Sequence, residues 1–229
     1  MQINEIFSSI DGEGIRTGYL VTFIRSQHCS LNCTYCDTLY SLKPTDEAGN
    51  KLYKDMSVDE ILEVCKKHGN SRITFTGGEP LIQKDAKELL SKLTLAGYEV
   101  NAETNGNIPL REFRTMDIDM PIAQNRLIMT MDWKSPSSGM RNKMVEDNLY
   151  CLNASDVLKF VVGSKEDLDD MKDTLNKHKI RCNNIFVSPI FGQIEPKDIV
   201  EYLKENNMQN VRMQLQLHKF IWPVEMRGV

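Results

Sequence analysis

The chain alternates between short apolar runs and segments with helical periodicity. Runs rich in β-branched residues are typical of β-strands, and they occur at residues 20–24, 72–75, 98–103, 127–132, 157–162, 184–188 and 211–215. Between several of these runs, capping residues followed by apolar positions three and four apart predict helices. The predicted helices cover residues 57–68, 85–96, a segment that starts at 164, and 196–206.

Alternating strands and helices with short connections are typical of parallel strands joined by right-handed crossovers. Six or seven strands are too few for a complete eight-stranded barrel. The pattern therefore predicts an α/β fold, a partial and open β/α barrel with about six parallel core strands. We see no internal repeat or linker and expect a single domain over residues 1–229. Ligands of such folds bind beyond the carboxyl ends of the strands.

The composition is that of an ordinary globular protein. The 229 residues are 41% hydrophobic and 26% charged, with a net charge of −4. This mild acidity gives no electrostatic reason to expect nucleic acid or membrane partners. No stretch reaches the roughly 18 apolar residues of a membrane span, and the N-terminus lacks the pattern of an export signal. We therefore expect a cytoplasmic protein with reduced cysteines.

Three of the six cysteines lie within eight residues, directly after the first predicted strand. Cys29, Cys33 and Cys36 form a C-x₃-C-x₂-C pattern in a polar loop over residues 28–44, where thiols are poor core residues. Three thiolates so spaced can bind one face of a compact metal cluster. The same thiolates with His28 as a fourth ligand could instead form a structural zinc site.

The second predicted strand is followed by Gly77, Gly78, Glu79 and Pro80. Two glycines allow a backbone to approach a ligand closely. By itself, a Gly-Gly pair after a strand usually marks a turn. Its position one strand after the cysteine loop makes the combination more specific and weakens the zinc interpretation.

The cysteine loop followed by Gly-Gly-Glu-Pro resembles the radical S-adenosylmethionine superfamily, and the segment 103–106 (Glu-Thr-Asn-Gly) after the third strand also matches. The resemblance implies a [4Fe–4S] cluster held by Cys29, Cys33 and Cys36, with the fourth iron open to S-adenosylmethionine. The resemblance further implies that an electron from the low-potential cluster would cleave the sulfonium to give methionine and a 5′-deoxyadenosyl radical. No protein side chain is assigned a catalytic role beyond holding this cofactor.

The resemblance also implies which residues bind S-adenosylmethionine. Tyr35 is expected to lie against the adenine, and the backbone of Gly77 and Gly78 to contact the methionine amino group. Glu103 is expected to orient a ribose or substrate hydroxyl. The nucleoside part is expected to contact residues that follow the fourth and sixth strands, namely Asp132, Trp133, Lys134, Ser188, Pro189, Ile190 and Phe191.

Three further stretches are similar to 7-carboxy-7-deazaguanine synthases, at residues 5–14, 134–138 and 216–222 with 227–229. The resemblance implies a carbon–nitrogen lyase that converts 6-carboxy-5,6,7,8-tetrahydropterin to 7-carboxy-7-deazaguanine with loss of ammonia. The radical would take a hydrogen atom from C6, the ring would contract, and the cofactor would be regenerated. This is a step in the biosynthesis of queuosine-type 7-deazapurines.

The substrate site follows from the same resemblance. Arg25 can provide a bidentate fork for the pterin carboxylate, and Thr38 is the expected ligand of Mg²⁺, a hard ion that takes few protein oxygens. The remaining substrate contacts are expected at Ile10, Asp11, Gly12, Glu13, Thr76, His218 and the α-carboxylate of Val229. Asp11 stands where the family often has glutamine, and an ionised carboxylate cannot donate a hydrogen bond.

Two alternatives stay open at this point. A glycyl-radical-enzyme activase is another short radical S-adenosylmethionine enzyme, and it would act on a partner protein. A zinc-bound interaction module would have no catalytic activity. For the preferred interpretation we expect a homodimer and a flavodoxin-like electron donor.

Overall fold

The described residues of the computed structural model, 1–114, 126–223 and 226–229, form one nine-stranded sheet. Its strand order is β3-β1-β2-β4-β5-β6-β7-β8-β9. The strands are β1 (Gln2–Ile10), β2 (Leu20–Ser26), β3 (Lys54–Asp55), β4 (Arg72–Gly77), β5 (Glu99–Thr104), β6 (Leu127–Lys134), β7 (Val157–Val162), β8 (Asn184–Pro189) and β9 (Val211–Met213).

The sheet is parallel over most of its width and open at both edges. From β2 through β4 to β9 every neighbouring pair is parallel, whereas β1 pairs antiparallel with β2 and β3. Within the described residues β3 and β9 are the edge strands and do not pair with each other. The predicted open α/β architecture is confirmed. Strand β1 was not predicted, because its half-exposed positions mix polar and apolar residues without a clear period.

Helices lie between the strands along the chain, and one more follows the last strand. They are α1 (Val58–His68), α2 (Ala86–Leu95), α3 (Arg111–Arg114), α4 (Asn148–Cys151), α5 (Lys165–Lys177), α6 (Pro196–Glu205) and α7 (His218–Ile221). The predicted capping box is present, with the Ser57 side chain accepting from the Glu60 amide and the Glu60 carboxylate accepting from the Ser57 amide. The four-residue helices were not predicted, because they are too short to show a periodicity. Across the described ranges, no helix combines the length and the apolar character needed to span a bilayer.

The two faces of the parallel strands differ sharply in chemistry. One face packs beneath the helices and carries fully buried apolar side chains, among them Ile73, Phe75, Val100, Ala102, Met129, Met131, Leu158 and Phe160. Because side chains alternate along a strand, the opposite face carries the residues between them. These are polar on most strands, namely Thr74, Thr76, Asn101, Glu103, Thr130, Asp132, Lys134 and Lys159.

Strand register sets these polar residues side by side. Asp132 of β6 is paired with Lys159 of β7, and Arg25 of β2 is paired with Thr76 of β4. Parallel sheets normally bury apolar side chains on both faces. A polar face therefore indicates that this side of the sheet surrounds a binding site rather than a second core.

Candidate active site

A cavity of about 520 Å³ opens on the polar face, bordered by the ends of the parallel strands. Its walls come from the β1–β2 connection, the cysteine loop, strands β2 and β4 to β7, the residue after β8, and the C-terminal segment. The predicted site residues that line it are Ile10, Asp11, Gly12, Glu13, Arg25, Cys29, Cys33, Tyr35, Cys36, Thr38, Thr76, Gly77, Gly78, Glu103, Asp132, Lys134, Ile190, His218 and Val229. The fold thus gathers residues from both ends of the chain.

The three clustered cysteines are free, half-buried thiols that all border this cavity. Cys29 Sγ accepts hydrogen bonds from the Leu31 amide and from Asn105 Nδ2, both at 3.4 Å. Burial raises the pKa of Cys33 to about 11, although the nearby Lys134 opposes the shift. The loop therefore presents three sulfur donors to one space.

Nothing in the described ranges gathers three His, Cys, Asp or Glu side chains closely enough to hold a single metal ion. The thiolates of a four-iron cluster need not converge in this way, because each one binds a different iron. His28, the alternative zinc ligand, is not among the residues that line the cavity, and its ring lies 6.1 Å from the ring of Tyr53.

The two glycines at the end of β4, Gly77 and Gly78, are required by the protein itself. A Cβ atom at Gly77 would lie 2.4 Å from the Ser26 carbonyl oxygen, and one at Gly78 would lie 2.1 Å from the His28 carbonyl oxygen. The Gly78 amide donates to Ser26 O at 3.1 Å. The glycines therefore allow β4 to end against the cysteine loop, and the Gly78 carbonyl, not its amide, is the group suited to a ligand's amino group.

Glu79 is a fully buried carboxylate that braces this part of the site. It accepts hydrogen bonds from the Leu81 amide (3.0 Å), from Thr104 Oγ1 (3.0 Å) and from the Asn105 amide (2.7 Å). Burial raises its pKa to about 7, against the opposing effect of these hydrogen bonds. Glu79 thus ties the Gly-Gly loop to the end of β5, next to Cys29.

A network of charged side chains crosses the cavity wall. Lys159 Nζ lies 2.8 Å from Glu13 Oε2 and 3.4 Å from Asp132 Oδ2, and Lys134 Nζ lies 3.1 Å from Asp132 Oδ2. Burial would raise the pKa of Asp132, but the two ammonium groups outweigh it and hold the pKa below its usual value. Lys159 was not predicted; the signal for it was one charged residue inside the apolar run at 157–162.

Arg25 is held at one side and open at the other. Its Nε donates to Glu5 Oε1 at 2.7 Å, and Tyr40 OH donates to the same oxygen at 2.9 Å. The guanidinium lies 5.8 Å from the Phe7 ring centroid. Within the part of the chain that the structure describes, its two Nη atoms make no hydrogen bond, and they provide the fork that a carboxylate needs.

The Asp11 side chain makes its hydrogen bonds within the protein. Its carboxylate accepts from Arg16 Nε at 2.8 Å and from Thr74 Oγ1 at 2.7 Å. Its amide donates to Tyr19 O, and its carbonyl accepts from the Gly18 amide. The carboxylate and the backbone amide of Asp11 therefore have their hydrogen-bond partners within the protein.

His218 packs directly on Gly12. A Cβ atom at Gly12 would lie 2.4 Å from His218 Nδ1, and the Leu217 amide donates to Gly12 O at 3.1 Å. Burial lowers the pKa of His218, although Glu13 and Asp37 oppose the shift. A neutral imidazole therefore closes this end of the cavity and joins the two ends of the chain.

Four residues predicted to contact the nucleoside do not line the cavity. Trp133 lies between Asp132 and Lys134, two residues of β6 that face the cavity. Its own side chain therefore points to the opposite face and is buried in the core, with the Arg141 guanidinium 5.0 Å from its ring. Phe191 is 56% exposed and lies against Phe220. The other two are Ser188 and Pro189, both buried. Consecutive residues of a strand face opposite sides of the sheet, so the three consecutive residues 132–134 cannot all face the cavity.

Comparison with known proteins identifies the family. Residues 23–120 match the model of the Radical SAM superfamily. A 7-carboxy-7-deazaguanine synthase of Clostridium acetobutylicum is 41% identical over 230 residues, which cover 100% of this chain and 99% of that protein. The chain belongs to the 7-carboxy-7-deazaguanine synthase family. A member of the family from Methanospirillum hungatei is 39% identical over 222 residues, or 96% of this chain and 85% of that protein.

Solved structures support the same fold. The crystal structure of QueE from Escherichia coli superposes with a TM-score of 0.73 at 23% identity, covering 95% of this chain and 94% of that chain. SuiB of Streptococcus suis bound to S-adenosylmethionine superposes with a TM-score of 0.57 at 14% identity, covering 84% of this chain and 46% of that chain. The open α/β architecture is therefore common to this protein and to both solved structures.

The residues present fit the cofactors that this family implies, a [4Fe–4S] cluster and S-adenosylmethionine. Three thiols on one loop supply the sulfur donors, and Cys29, Cys33 and Cys36 border the same cavity as the Gly-Gly loop. Asp132 Oδ1 and the Tyr35 hydroxyl are buried there without a hydrogen-bond partner among the described residues. The full-length family match decides against the activase and against the zinc module.

Proposed function

We propose that the protein converts 6-carboxy-5,6,7,8-tetrahydropterin to 7-carboxy-7-deazaguanine with loss of ammonia. The observation that carries this proposal is the composition of one cavity. The thiols of Cys29, Cys33 and Cys36 and the open fork of Arg25 border the same space of about 520 Å³. A site of this kind suits a small anionic substrate beside a cluster-bound cofactor.

Arg25 would bind the substrate carboxylate. Glu5 holds its Nε at 2.7 Å, and this contact fixes the plane of the guanidinium while both Nη groups stay available. Two parallel N–H···O bonds give orientation as well as affinity. Thr76, paired with Arg25 across β2 and β4, would face the same part of the substrate.

The opposite edge of the pterin carries N–H donors and needs acceptors. Glu13 Oε1 is buried and has no hydrogen-bond partner in the described ranges, and Glu13 lines the cavity. His218 is held neutral by burial, which opposes its charged form, so one of its ring nitrogens can accept a hydrogen bond. Val229 also lines the cavity. These groups favour a substrate with an aminopyrimidine edge.

The cluster and S-adenosylmethionine, when bound, supply a carbon-centred radical able to remove a hydrogen atom from the substrate. The chain's own part is to hold and orient both molecules. Tyr35 offers a buried hydroxyl and a ring 5.9 Å from Lys134 Nζ. Asp132 is kept ionised by Lys134 and Lys159 and is suited to accept hydrogen bonds from ribose hydroxyls. Ile190 adds an apolar surface.

Thr38 is the proposed protein ligand of Mg²⁺. Its Oγ1 lies 3.7 Å from Cys36 Sγ, and the residue borders the cavity. A single hydroxyl ligand fits a hard ion that keeps most of its waters and takes its other oxygens from the substrate. A homodimer and a flavodoxin-like reductant are further expectations. A cytoplasmic location is also expected, and it rests on the composition of the chain.

The test is an anaerobic assay of the reconstituted protein with a reductant, S-adenosylmethionine, Mg²⁺ and the carboxypterin. Mass spectrometry should detect 7-carboxy-7-deazaguanine. The Cys33→Ala variant should lose both the brown chromophore and the product. Cys65→Ala is the matched control, because Cys65 is buried in the core and should leave both intact. A cluster-loaded protein that cleaves S-adenosylmethionine but forms no deazaguanine would contradict the proposal.

A further inference from the structure

Lys159 is an unusual residue for its position. The six residues of β7 are all buried, and the other five are Val157, Leu158, Phe160, Val161 and Val162. The Lys159 ammonium lies between two carboxylates that come from different elements, 2.8 Å from Glu13 Oε2 and 3.4 Å from Asp132 Oδ2. Glu13 follows β1, and Asp132 belongs to β6.

Stability alone does not account for this charge. Removing an ammonium and two carboxylates from water is costly, and replacing buried ion pairs by apolar residues is often neutral or stabilising. An apolar residue at position 159 would also continue the pattern of β7. The cation therefore needs an explanation in what it does to its two partners.

Each partner carboxylate has one oxygen engaged and one oxygen open. Lys159 binds Oε2 of Glu13 and Oδ2 of Asp132, whereas Glu13 Oε1 and Asp132 Oδ1 are buried without a hydrogen-bond partner in the described residues. A carboxylate fixed through one oxygen presents the other in a set direction. Lys159 thus leaves two oriented acceptors, both on residues that line the cavity.

We propose that Lys159 is a positioning residue that orients Glu13 toward the substrate and Asp132 toward the S-adenosylmethionine nucleoside, and so links the two binding subsites. The inference rests on the proposed function, which assigns Glu13 and Asp132 to these two ligands. Lys134 lies 3.1 Å from Asp132 Oδ2 and makes no ion pair with Glu13 among the described residues. Within that part of the chain, Lys159 is the cation that reaches both.

This difference between the two carboxylates predicts an asymmetric effect. Without Lys159, Glu13 loses its ion-pair partner, whereas Asp132 keeps Lys134. Losing a hydrogen bond to a charged group corresponds to about a tenfold change in affinity. The Lys159→Met variant should therefore bind the pterin about tenfold more weakly but S-adenosylmethionine only about threefold more weakly.

The experiment measures equilibrium binding to the cluster-loaded, unreduced protein. Anaerobic dialysis with 6-carboxypterin, and separately with S-adenosylmethionine, gives the affinities of the wild type, Lys159→Met, Lys159→Arg, Glu13→Gln and the double variant K159M/E13Q. The loss of pterin affinity caused by K159M should largely disappear in the E13Q background, because a positioning residue acts through its partner. K159R keeps the cation and should restore part of the affinity. Lys172→Met is the matched control, because Lys172 pairs with Asn206 away from the cavity.

Two results would overturn the role of Lys159. One is unchanged pterin affinity in K159M; the other is a tenfold loss that persists in the E13Q background. If K159M does not fold, the same comparison is made with K159R: its pterin affinity is measured with and without E13Q. A wild type that neither binds 6-carboxypterin nor forms the deazaguanine refutes the proposed function. If the wild type turns over normally but the effect of K159M on pterin affinity is the same with and without E13Q, the positioning role alone is refuted.

Discussion

Arg25 offers the sharpest test of how the site recognises its substrate. Its Nε is fixed by Glu5 at 2.7 Å, and both Nη groups are free of hydrogen bonds within the described ranges. In Arg25→Met the fork is removed while much of the apolar contact with Phe7 remains. A bidentate, charge-assisted pair contributes about 1.5–3 kcal/mol, which corresponds to a 10- to 100-fold change in affinity.

The assay compares two ligands rather than two proteins alone. Equilibrium dialysis of the cluster-loaded protein gives the affinities for 6-carboxypterin and for pterin without the carboxylate. The wild type should prefer the carboxylated ligand by about 10- to 100-fold, and Arg25→Met should lose that preference without losing affinity for pterin. Arg25→Lys keeps the charge but not the fork, so its preference should be intermediate. Arg212→Met is the control, because Arg212 packs on Phe186 outside the cavity.

An equal loss of affinity for both ligands would refute carboxylate recognition by Arg25. If Arg25→Met weakens both ligands equally, Arg25 supports the wall of the cavity through packing and does not recognise the carboxylate. If the preference of the wild type survives in Arg25→Met, another cation binds the carboxylate.

The other predictions concern the metal sites and pH. Replacing Cys33 by alanine should abolish the visible charge-transfer absorption of an iron–sulfur cluster, whereas Cys65→Ala should retain it. Iron analysis and absorption spectra check this, and a brown Cys33 variant would contradict the cluster assignment. Thr38→Val should raise the Mg²⁺ concentration needed for half-maximal turnover without changing iron content, and an unchanged requirement would remove Thr38 as a ligand. Burial raises the pKa of Asp11 to about 6, against the opposing effect of Arg16. Because the folded state then holds this proton more tightly than the unfolded chain, the contribution of Asp11 to the free energy of unfolding should fall by about 3 kcal/mol as pH rises from about 4 to about 6. Urea unfolding of the wild type and Asp11→Asn across this window checks it: the variant should lack this part of the slope, and equal slopes would refute the assignment.

The parts of the fold that local sequence determines were predicted well. The capping box at Ser57 and Glu60 begins α1, and Gly69, with a φ of 75°, ends it after His68. The apolar run at 157–162 is strand β7. Such features depend on neighbours in the sequence, and a single chain contains that information.

What the sequence did not reveal depends on register between strands. Lys159 meets Asp132 because β6 and β7 pair in one alignment out of several, and a shift of one residue would turn Lys159 to the other face. The same alternation places Trp133 in the core, although it lies between two cavity residues in the motif. The Asp11 carboxylate binds Arg16 and Thr74, a contact that no local pattern indicates.

One face of the sheet supplies stability and the other carries the polar site. The face beneath the helices buries residues such as Phe75 and Phe160 completely, and hydrophobic burial of this kind supplies the main free energy of folding. The polar face can then hold groups that do not contribute to stability. Glu13 Oε1, Asp132 Oδ1 and the Tyr35 hydroxyl are buried without partners in the described residues, at a cost of about 1–3 kcal/mol each. Ligands that satisfy these atoms remove that cost, so part of the binding affinity has its origin in polar groups that the fold leaves unpaired.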